Sequence, residues 1–334
     1  MIKKFLKCCS LLVLGLMLVS QNNQAQKKSA EDAVAPDAIP LISGLHTLSI
    51  HVRDTLTHDS VFHFLVDKLK LPVYYYPVTY GKRKWVGVYA GNLVLEPCGP
   101  YTSFLYGSDD FRAIFFGLTF EPFETISRSA EGLTDRKIVH QSGDTYIYLH
   151  NDSALCGDNI TISFMDRGLS KSFDKIIMDS LRYAMNTDKE IKYKVFERTD
   201  DELPTSYKTV NYYNELGIEY VKEICIGYKD LSNLQKWKEL ISPCELIENE
   251  IWRESNLLEF HIIKSKIKEV QSITFKVKSL ENARRYLINN NLFGGLVNGK
   301  ILLDKAQAFG LTIYLTDEDT LTGNNVPFTQ AERK

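Results

Sequence analysis

Polar and apolar positions alternate from Leu45 onward, and this pattern predicts where the ordered part of the chain begins. Residues 47–52 read Thr-Leu-Ser-Ile-His-Val, as in a strand with one buried face. Asp54 then opens a run with apolar side chains at helical spacing, and Pro72 ends it. Strand-like runs follow at 73–76, 85–89 and 93–96, separated by turn residues. The predicted order is strand, helix, strand, strand, strand.

The same order recurs, so internal repetition is the main guide to the fold. An offset of 176 maps residues 48–54 onto residues 224–230 without a gap, which places Asp54 on Asp230. Residues 117–133 and 274–292 align at an offset of 157, and each is a strand that leads into a helix. We therefore predict four modules arranged as two consecutive pairs.

These patterns divide the chain into six segments. We predict a signal peptide over residues 1–25, a disordered leader over 26–44, a first module pair over 45–166, a helical connector over 167–216, a second module pair over 217–318 and a tail over 319–334.

The first 25 residues have the three-part layout of a secretory signal peptide. Three lysines precede an uncharged apolar run at 8–20, and a polar stretch with Ala25 follows. This run is shorter than the roughly 20 residues that span a bilayer. We predict cleavage after Ala25 and a periplasmic or secreted protein without stable membrane insertion. An uncleaved anchor is the alternative.

Composition excludes one class of partner. The chain has 40 basic and 42 acidic residues, and the predicted signal peptide contains three of the basic ones. The mature part is therefore mildly acidic and has no run of Lys or Arg, which argues against nucleic acid as a partner. The 18 tyrosines and 17 phenylalanines favour strands.

Four cysteines remain after the predicted cleavage: Cys98, Cys156, Cys225 and Cys244. An oxidising compartment permits disulfides, but a chain of this length does not depend on them, and the spacing does not match a metal motif. Free, buried cysteines are the favoured interpretation, and any pairing stays open.

Three stretches carry a resemblance to a known family. HTLSIHVRD at 46–54, FLVDKLKLPVYYYPVTYG at 64–81 and GVYAGNLVLEP at 87–97 resemble the vicinal-oxygen-chelate superfamily of glyoxalases, bleomycin-resistance proteins and dioxygenases. FKVKSLENARRYL at 275–287 resembles the strand and helix that open such a module. The resemblance implies an α+β fold in which four βαβββ modules form two paired, curved mixed sheets. Each pair would enclose a cavity for a small molecule, so a monomer would suffice.

The resemblance also implies a divalent metal held by His, Glu or Gln from the first and fourth strands of paired modules. The family's first-strand position, seven residues before the helix opens, falls on Thr47, Phe115, Glu223 and Ser272 in modules 1 to 4. The fourth strand of module 1 offers Glu96.

Strand alternation tests these positions independently of the family. Leu93 and Leu95 should point from one face of their strand into the core, so Glu96 should point to the other face. By the same argument Glu259 and His261 should share a face with Glu223. The candidate metal ligands are therefore Glu96, Glu223, Glu259 and His261, with solvated sheet faces as the alternative.

The first module pair also offers candidates for ligand binding. His51 and Glu96 should point into one space, and Tyr75 and Trp85 could supply aromatic walls, although aromatic side chains also pack across strands. One clear carboxylate is too few ligands for a tight metal site in this pair. We therefore expect an exported protein that binds a small molecule beside a degenerate metal site. The alternative is a metal-dependent lyase, isomerase or extradiol-type dioxygenase, and the sequence leaves open whether the protein is an enzyme.

Overall fold

The structure is a computed structural model that describes residues 40–80, 83–100, 113–165, 216–242, 245–248, 251–253 and 258–319. The predicted signal peptide and almost all of the predicted leader, connector and tail lie outside these residues. Those four assignments therefore stay predictions, except that residues 42–44, predicted as the end of a disordered leader, belong to the first strand. Among the described helices, none has the length and apolar character that a membrane crossing requires.

The first module has the predicted order. It comprises β1 (Ile42–Val52), α1 (Thr55–His63), β2 (Val73–Tyr80), β3 (Arg83–Tyr89) and β4 (Val94–Gly99). Asp54 caps α1, because its side chain accepts a 2.7 Å hydrogen bond from the backbone N–H of Thr57. A π-helical turn, Phe64–Lys68, continues α1.

Three further modules repeat this order. The second comprises β5 (Ala113–Pro122), α2 (Ile126–Asp135), β6 (Gln141–Ser142), β7 (Tyr146–Tyr148) and β8 (Thr161–Met165). The third comprises β9 (Ile218–Tyr228), α3 (Leu231–Ile241), β10 (Glu245–Glu248), β11 (Ile251–Arg253) and β12 (Glu259–Lys264). The fourth comprises β13 (Glu269–Val277), α4 (Leu280–Asn289), β14 (Phe293–Val297), β15 (Lys300–Leu303) and β16 (Ile313–Thr316). The predicted α+β class with four βαβββ modules is confirmed.

The modules combine in pairs into two mixed sheets of eight strands. The strand orders are β2-β3-β4-β1-β5-β8-β7-β6 and β10-β11-β12-β9-β13-β16-β15-β14. In each sheet the first strands of the two modules run antiparallel at the centre, and each first strand runs parallel to the fourth strand of its own module. The helix between the first and later strands supplies the long connection that a parallel neighbour requires.

The strand register confirms one predicted offset and corrects the other. Thr47 pairs with Thr119 in the first sheet, and Glu223 pairs with Thr274 in the second. Thr47 and Glu223 are therefore equivalent, as the offset of 176 predicts. Thr119 and Thr274 are equivalent at an offset of 155, so the predicted value of 157 is wrong. Because strand side chains alternate with period two, an error of two residues leaves each side chain on its predicted face.

Equivalent β-bulges occur in β1 and β9. The register shifts between Leu45 and Thr47 leave His46 as the extra residue, and the shift between Val221 and Glu223 leaves Lys222. A bulge turns two consecutive side chains toward one partner. Lys222 therefore lies beside Glu223, with its Nζ 3.8 Å from Oε1.

One face of each sheet forms the core with the helices. On β1 the alternating residues Leu48, Ile50 and Val52 are fully buried, and Leu93 and Leu95 lie in the same core. The opposite faces carry the polar residues of both candidate sites. Among the described cysteines, Cys98 and Cys156 are buried and Cys225 is half-buried, and the thiols of Cys156 and Cys225 are free. Cys244 lies outside the described residues.

Candidate functional site

The polar face of the first sheet is centred on Glu96. Glu96 on β4 pairs with Ser49 on β1, Ser49 pairs with Gly117 on β5, and Gly117 pairs with Thr161 on β8. The half-buried Glu96 carboxylate accepts a 2.5 Å hydrogen bond from Tyr75 Oη and a 3.3 Å hydrogen bond from Ser49 Oγ.

Tyr75 reaches Glu96 because the facing residue has no side chain. Tyr75 on β2 pairs with Gly87 on β3. A Cβ at position 87 would lie 2.3 Å from Cε1 of the Tyr75 ring, so the ring fills the space that any larger residue would need. Burial, followed by the charge of Glu96, raises the pKa of the Tyr75 phenol, which keeps it protonated as a donor.

Burial changes the acidity of Glu96. Loss of water around the carboxylate raises its pKa to about 7, although the hydrogen bonds from Tyr75 and Ser49 act in the opposite direction. A carboxyl group with this pKa can donate or accept a proton near neutral pH.

The other two ligand-binding candidates of the first pair share this face. His51 follows Ser49 by two residues and stacks on Phe116, with ring centroids 4.0 Å apart and an interplanar angle of 20°. Burial, and then the charge of Arg83, lower the pKa of His51 to about 3, so the imidazole is neutral. The half-buried Trp85 lies two residues before Gly87 on β3.

The second sheet brings three predicted metal ligands together. Glu223 on β9 pairs with Glu259 on β12, and His261 lies two residues further along β12. One ligand atom from each of the three side chains lies within 4.8 Å of the others. His261 Nε2 is 3.3 Å from Oε2 of Glu259. Glu96, the fourth predicted metal ligand, lies in the other sheet and does not join this cluster.

Glu223 has further polar neighbours. Its Oε2 accepts hydrogen bonds from Thr274 Oγ1 at 2.8 Å and from Lys300 Nζ at 2.5 Å. Burial tends to raise the pKa of Glu223, but the hydrogen bond and charge of Lys300, with smaller effects of His261 and Thr274, leave it below its ordinary value. Glu223 is therefore ionised over a wide pH range.

The donor set can be compared with the needs of a divalent metal. Two carboxylates and one imidazole suit Zn²⁺, Mn²⁺ or Fe²⁺. Neighbouring ligands of an ion with bonds of about 2.0–2.2 Å lie about 3–3.6 Å apart, so donor atoms within 4.8 Å of one another would have to draw closer to hold an ion. The donors fit, provided that Lys300 gives up its place at Glu223.

The strand register contradicts two of the first-strand ligand positions that were inferred from the family. The residues paired with Thr47 and Glu223 are Thr119 and Thr274, and neither Phe115 nor Ser272 takes that place. Phe115 is buried in the core and pairs with Ile50. The prediction failed because the spacing of seven residues does not hold in modules 2 and 4, where Thr119 and Thr274 precede the helix caps Thr125 and Ser279 by six and five residues.

Lys300 and Lys222 were not predicted as parts of the site. Lys300 belongs to the third strand of its module, whereas the predicted ligands lie on first and fourth strands. The alternation along this strand indicates the polar face for Lys300, because Ile301 and Leu303 are fully buried and Lys300 alternates with them. Lys222 lies beside Glu223 because of the bulge, and the sequence pattern does not reveal that bulge.

Comparison with known proteins identifies relatives of the fold. Neither the protein-family models nor the curated proteins contain a match. A variant of homoprotocatechuate 2,3-dioxygenase from B. fuscum matches with a TM-score of 0.52 and 10% identity over 87% of this chain and 76% of that chain. A room-temperature structure of an extradiol ring-cleaving dioxygenase from B. fuscum matches with a TM-score of 0.52 and 11% identity, over 88% and 78%. A mutant of 4-hydroxymandelate synthase from Streptomyces coelicolor matches with a TM-score of 0.51 and 10% identity, over 82% and 92%. These proteins share the vicinal-oxygen-chelate fold with this chain, and at such identities the likeness concerns the fold alone.

Proposed function

We propose that this chain is a vicinal-oxygen-chelate protein that binds a divalent metal through Glu223, Glu259 and His261 and handles an oxygen-containing small molecule there. The observation that carries this proposal is the convergence of three donor side chains within 4.8 Å. The dioxygenases and the synthase that share the fold support it, because their names describe enzymes. The proposal favours an enzyme over a protein that only binds a ligand.

Each side chain would have a distinct part in such a centre. The carboxylates of Glu223 and Glu259 would neutralise the cation, and His261 would supply an imidazole, which must be unprotonated to bind a metal. Thr274 would hold Glu223 in place through its 2.8 Å hydrogen bond. A bound divalent ion would act as a Lewis acid toward ligand oxygens.

Metal binding is the decisive experiment. The purified chain, stripped with a chelator, should bind about one Mn²⁺ per molecule in calorimetry and in electron paramagnetic resonance. His261→Ala and Glu259→Gln should each weaken metal binding by at least about tenfold. Loss of a residue that only hydrogen-bonds to a metal ligand already lowers metal affinity by about this much. Glu96→Gln is the matched control, because it removes a carboxylate from the other sheet. Absence of stoichiometric binding, or equal losses in all three variants, would rule the proposal out.

A metal-free binding protein is the second candidate. The ammonium of Lys300 already neutralises Glu223 at 2.5 Å, which is the observation in its favour. Its ligand site would then be the face around Glu96 and Tyr75, where hydroxyls and a carboxyl group can hydrogen-bond a polar molecule. A chain that binds no divalent metal, but is stabilised by a small molecule in wild type and not in Glu96→Gln, would favour this candidate.

We also propose that the protein is exported. The charged, apolar and polar parts of residues 1–25 support this, and those residues lie outside the described part of the chain. N-terminal sequencing of the exported protein should begin near Gln26. Recovery of the full-length chain in the cytoplasm alone would contradict export.

A further inference from the structure

Among the residues that the structure describes, two ammonium groups face the two carboxylates of the second site. The carboxylates of Glu223 and Glu259 lie among two ammonium groups, Lys300 at 2.5 Å and Lys222 at 3.8 Å from Glu223 oxygens. Lys276, on the neighbouring strand, is engaged elsewhere, because its Nζ is 2.9 Å from Asp319 Oδ1. A divalent cation added to this arrangement would bring two excess positive charges.

Lys300 and a cation would compete for the Glu223 carboxylate, and for the same atom if the cation binds through Oε2. Oε2 of Glu223 accepts from both Thr274 and Lys300. A metal bound to this oxygen would lie next to the ammonium group, and repulsion between them is strong where little water is present. A cation that binds through Oε2 must therefore displace Lys300 from this oxygen.

Lys300 is the ammonium group that can leave. Its side chain is 26% exposed, whereas that of Lys222 is 4% exposed. A lysine has a flexible four-carbon stem, so its charge can swing away from Glu223 and still remain near the site. Lys222 is held in place by burial at the bulge.

We propose that Lys300 is an exchangeable counter-ion that pairs with Glu223 in the metal-free protein and with an anionic oxygen ligand once a divalent cation displaces it. This inference rests on the proposed metal centre. In the loaded site the cation cancels the two carboxylates, and the charges of Lys222 and Lys300 remain. The centre therefore selects an anionic oxygen ligand, such as a carboxylate, over a neutral diol.

The first test is competition for the cation. Calorimetry should show that Lys300→Met, which keeps the length and removes the charge, binds Mn²⁺ at least tenfold more tightly than wild type in buffer without chelating anions. Lys276→Met is the matched control and should bind as wild type does. Melting curves would establish that each variant is folded.

The second test is selection of an anion. Oxalate, a bidentate dianion, should tighten Mn²⁺ binding in wild type, and this enhancement should fall at least tenfold in Lys300→Met. Lys300→Arg retains the positive charge and should retain most of the enhancement by oxalate. Ethylene glycol, a neutral analogue, should have no effect on any variant.

The outcomes separate the two proposals. If neither wild type nor Lys300→Met binds Mn²⁺, the metal centre fails and the inference fails with it. If both bind equally and oxalate acts equally on both, the metal centre stands and the role of Lys300 is overturned. Binding by Lys300→Met alone would mean that Lys300 fills the cation position permanently, which overturns the exchange.

Discussion

The side-chain amide of Asn92 pairs with the backbone of Val221 as another peptide group would. Nδ2 donates to the Val221 carbonyl at 2.9 Å, and Oδ1 accepts from the Val221 N–H at 3.0 Å. Asn92 is buried and precedes β4, while Val221 lies beside the bulge of β9. One side chain of the first module pair therefore satisfies two backbone groups of the second pair.

Asn92→Leu should destabilise the protein strongly. The substitution leaves a buried N–H and a buried C=O without their partner, and each such loss costs about 1–3 kcal/mol. We expect the free energy of unfolding in urea to fall by about 2–5 kcal/mol. Asn290→Ala, which removes a side-chain hydrogen bond at the end of α4, is the control and should cost much less. Similar losses in both variants would contradict the special role of Asn92.

Glu96→Gln should remove a pH dependence of stability. The pKa of Glu96 is about 7 in the folded protein, above its ordinary value of 4.5, so the folded state holds this proton more tightly. Its contribution to stability is complete below about pH 4.5 and is lost as the pH rises through 7, by up to about 1.4 kcal/mol per pH unit. Glutamine keeps an acceptor for Tyr75 and does not ionise. The variant should therefore gain stability relative to wild type between pH 5 and 8.

Urea unfolding at pH 5 and at pH 8 would measure this difference. Glu131→Gln removes an exposed carboxylate that pairs with Arg128, and it should show no comparable gain. If wild type and Glu96→Gln keep the same difference at both pH values, Glu96 is not the group responsible.

His51→Phe should change how the free energy of unfolding depends on pH under acidic conditions. The pKa of His51 is about 3 in the folded protein, below its ordinary value of 6.5, so the folded state resists its protonation. The stability that this provides is complete above about pH 6.5 and is lost as the pH falls toward 3. Phenylalanine keeps a ring against Phe116 and does not titrate. Between pH 6.5 and 4 the variant should lose less stability than wild type, whereas His63→Asn, at an exposed site on α1, should behave as wild type.

Gly87→Ala should displace the Tyr75 ring. The new Cβ would lie 2.3 Å from a ring carbon, so the ring must move and its hydrogen bond to Glu96 must lengthen or break. Such overpacking costs about 1–3 kcal/mol in the free energy of unfolding. A double-mutant cycle with Tyr75→Leu checks the cause, because the smaller side chain should remove most of the cost. An unchanged cost in the Tyr75→Leu background would show that position 87 acts through something else.

The sequence alone determined the order of elements and the face on which most side chains lie. Asp54 and Asp230 open helices in both repeats, as their spacing predicts, and Glu96, Glu259 and His261 lie opposite the apolar residues of their strands. These features follow from local periodicity, since a strand alternates with period two and a helix with period 3.6. They do not depend on which other segment lies beside them.

Only the tertiary structure decided which side chains meet. The pairing of Glu223 with Thr274, and not with Ser272, depends on the register between β9 and β13, which the bulge at Lys222 shifts. The Lys300 ammonium reaches Glu223 from a strand that is not adjacent to β9. A single extra residue in one strand changes every later cross-strand partner. The alternation of polar and apolar residues does not reveal where such a residue lies.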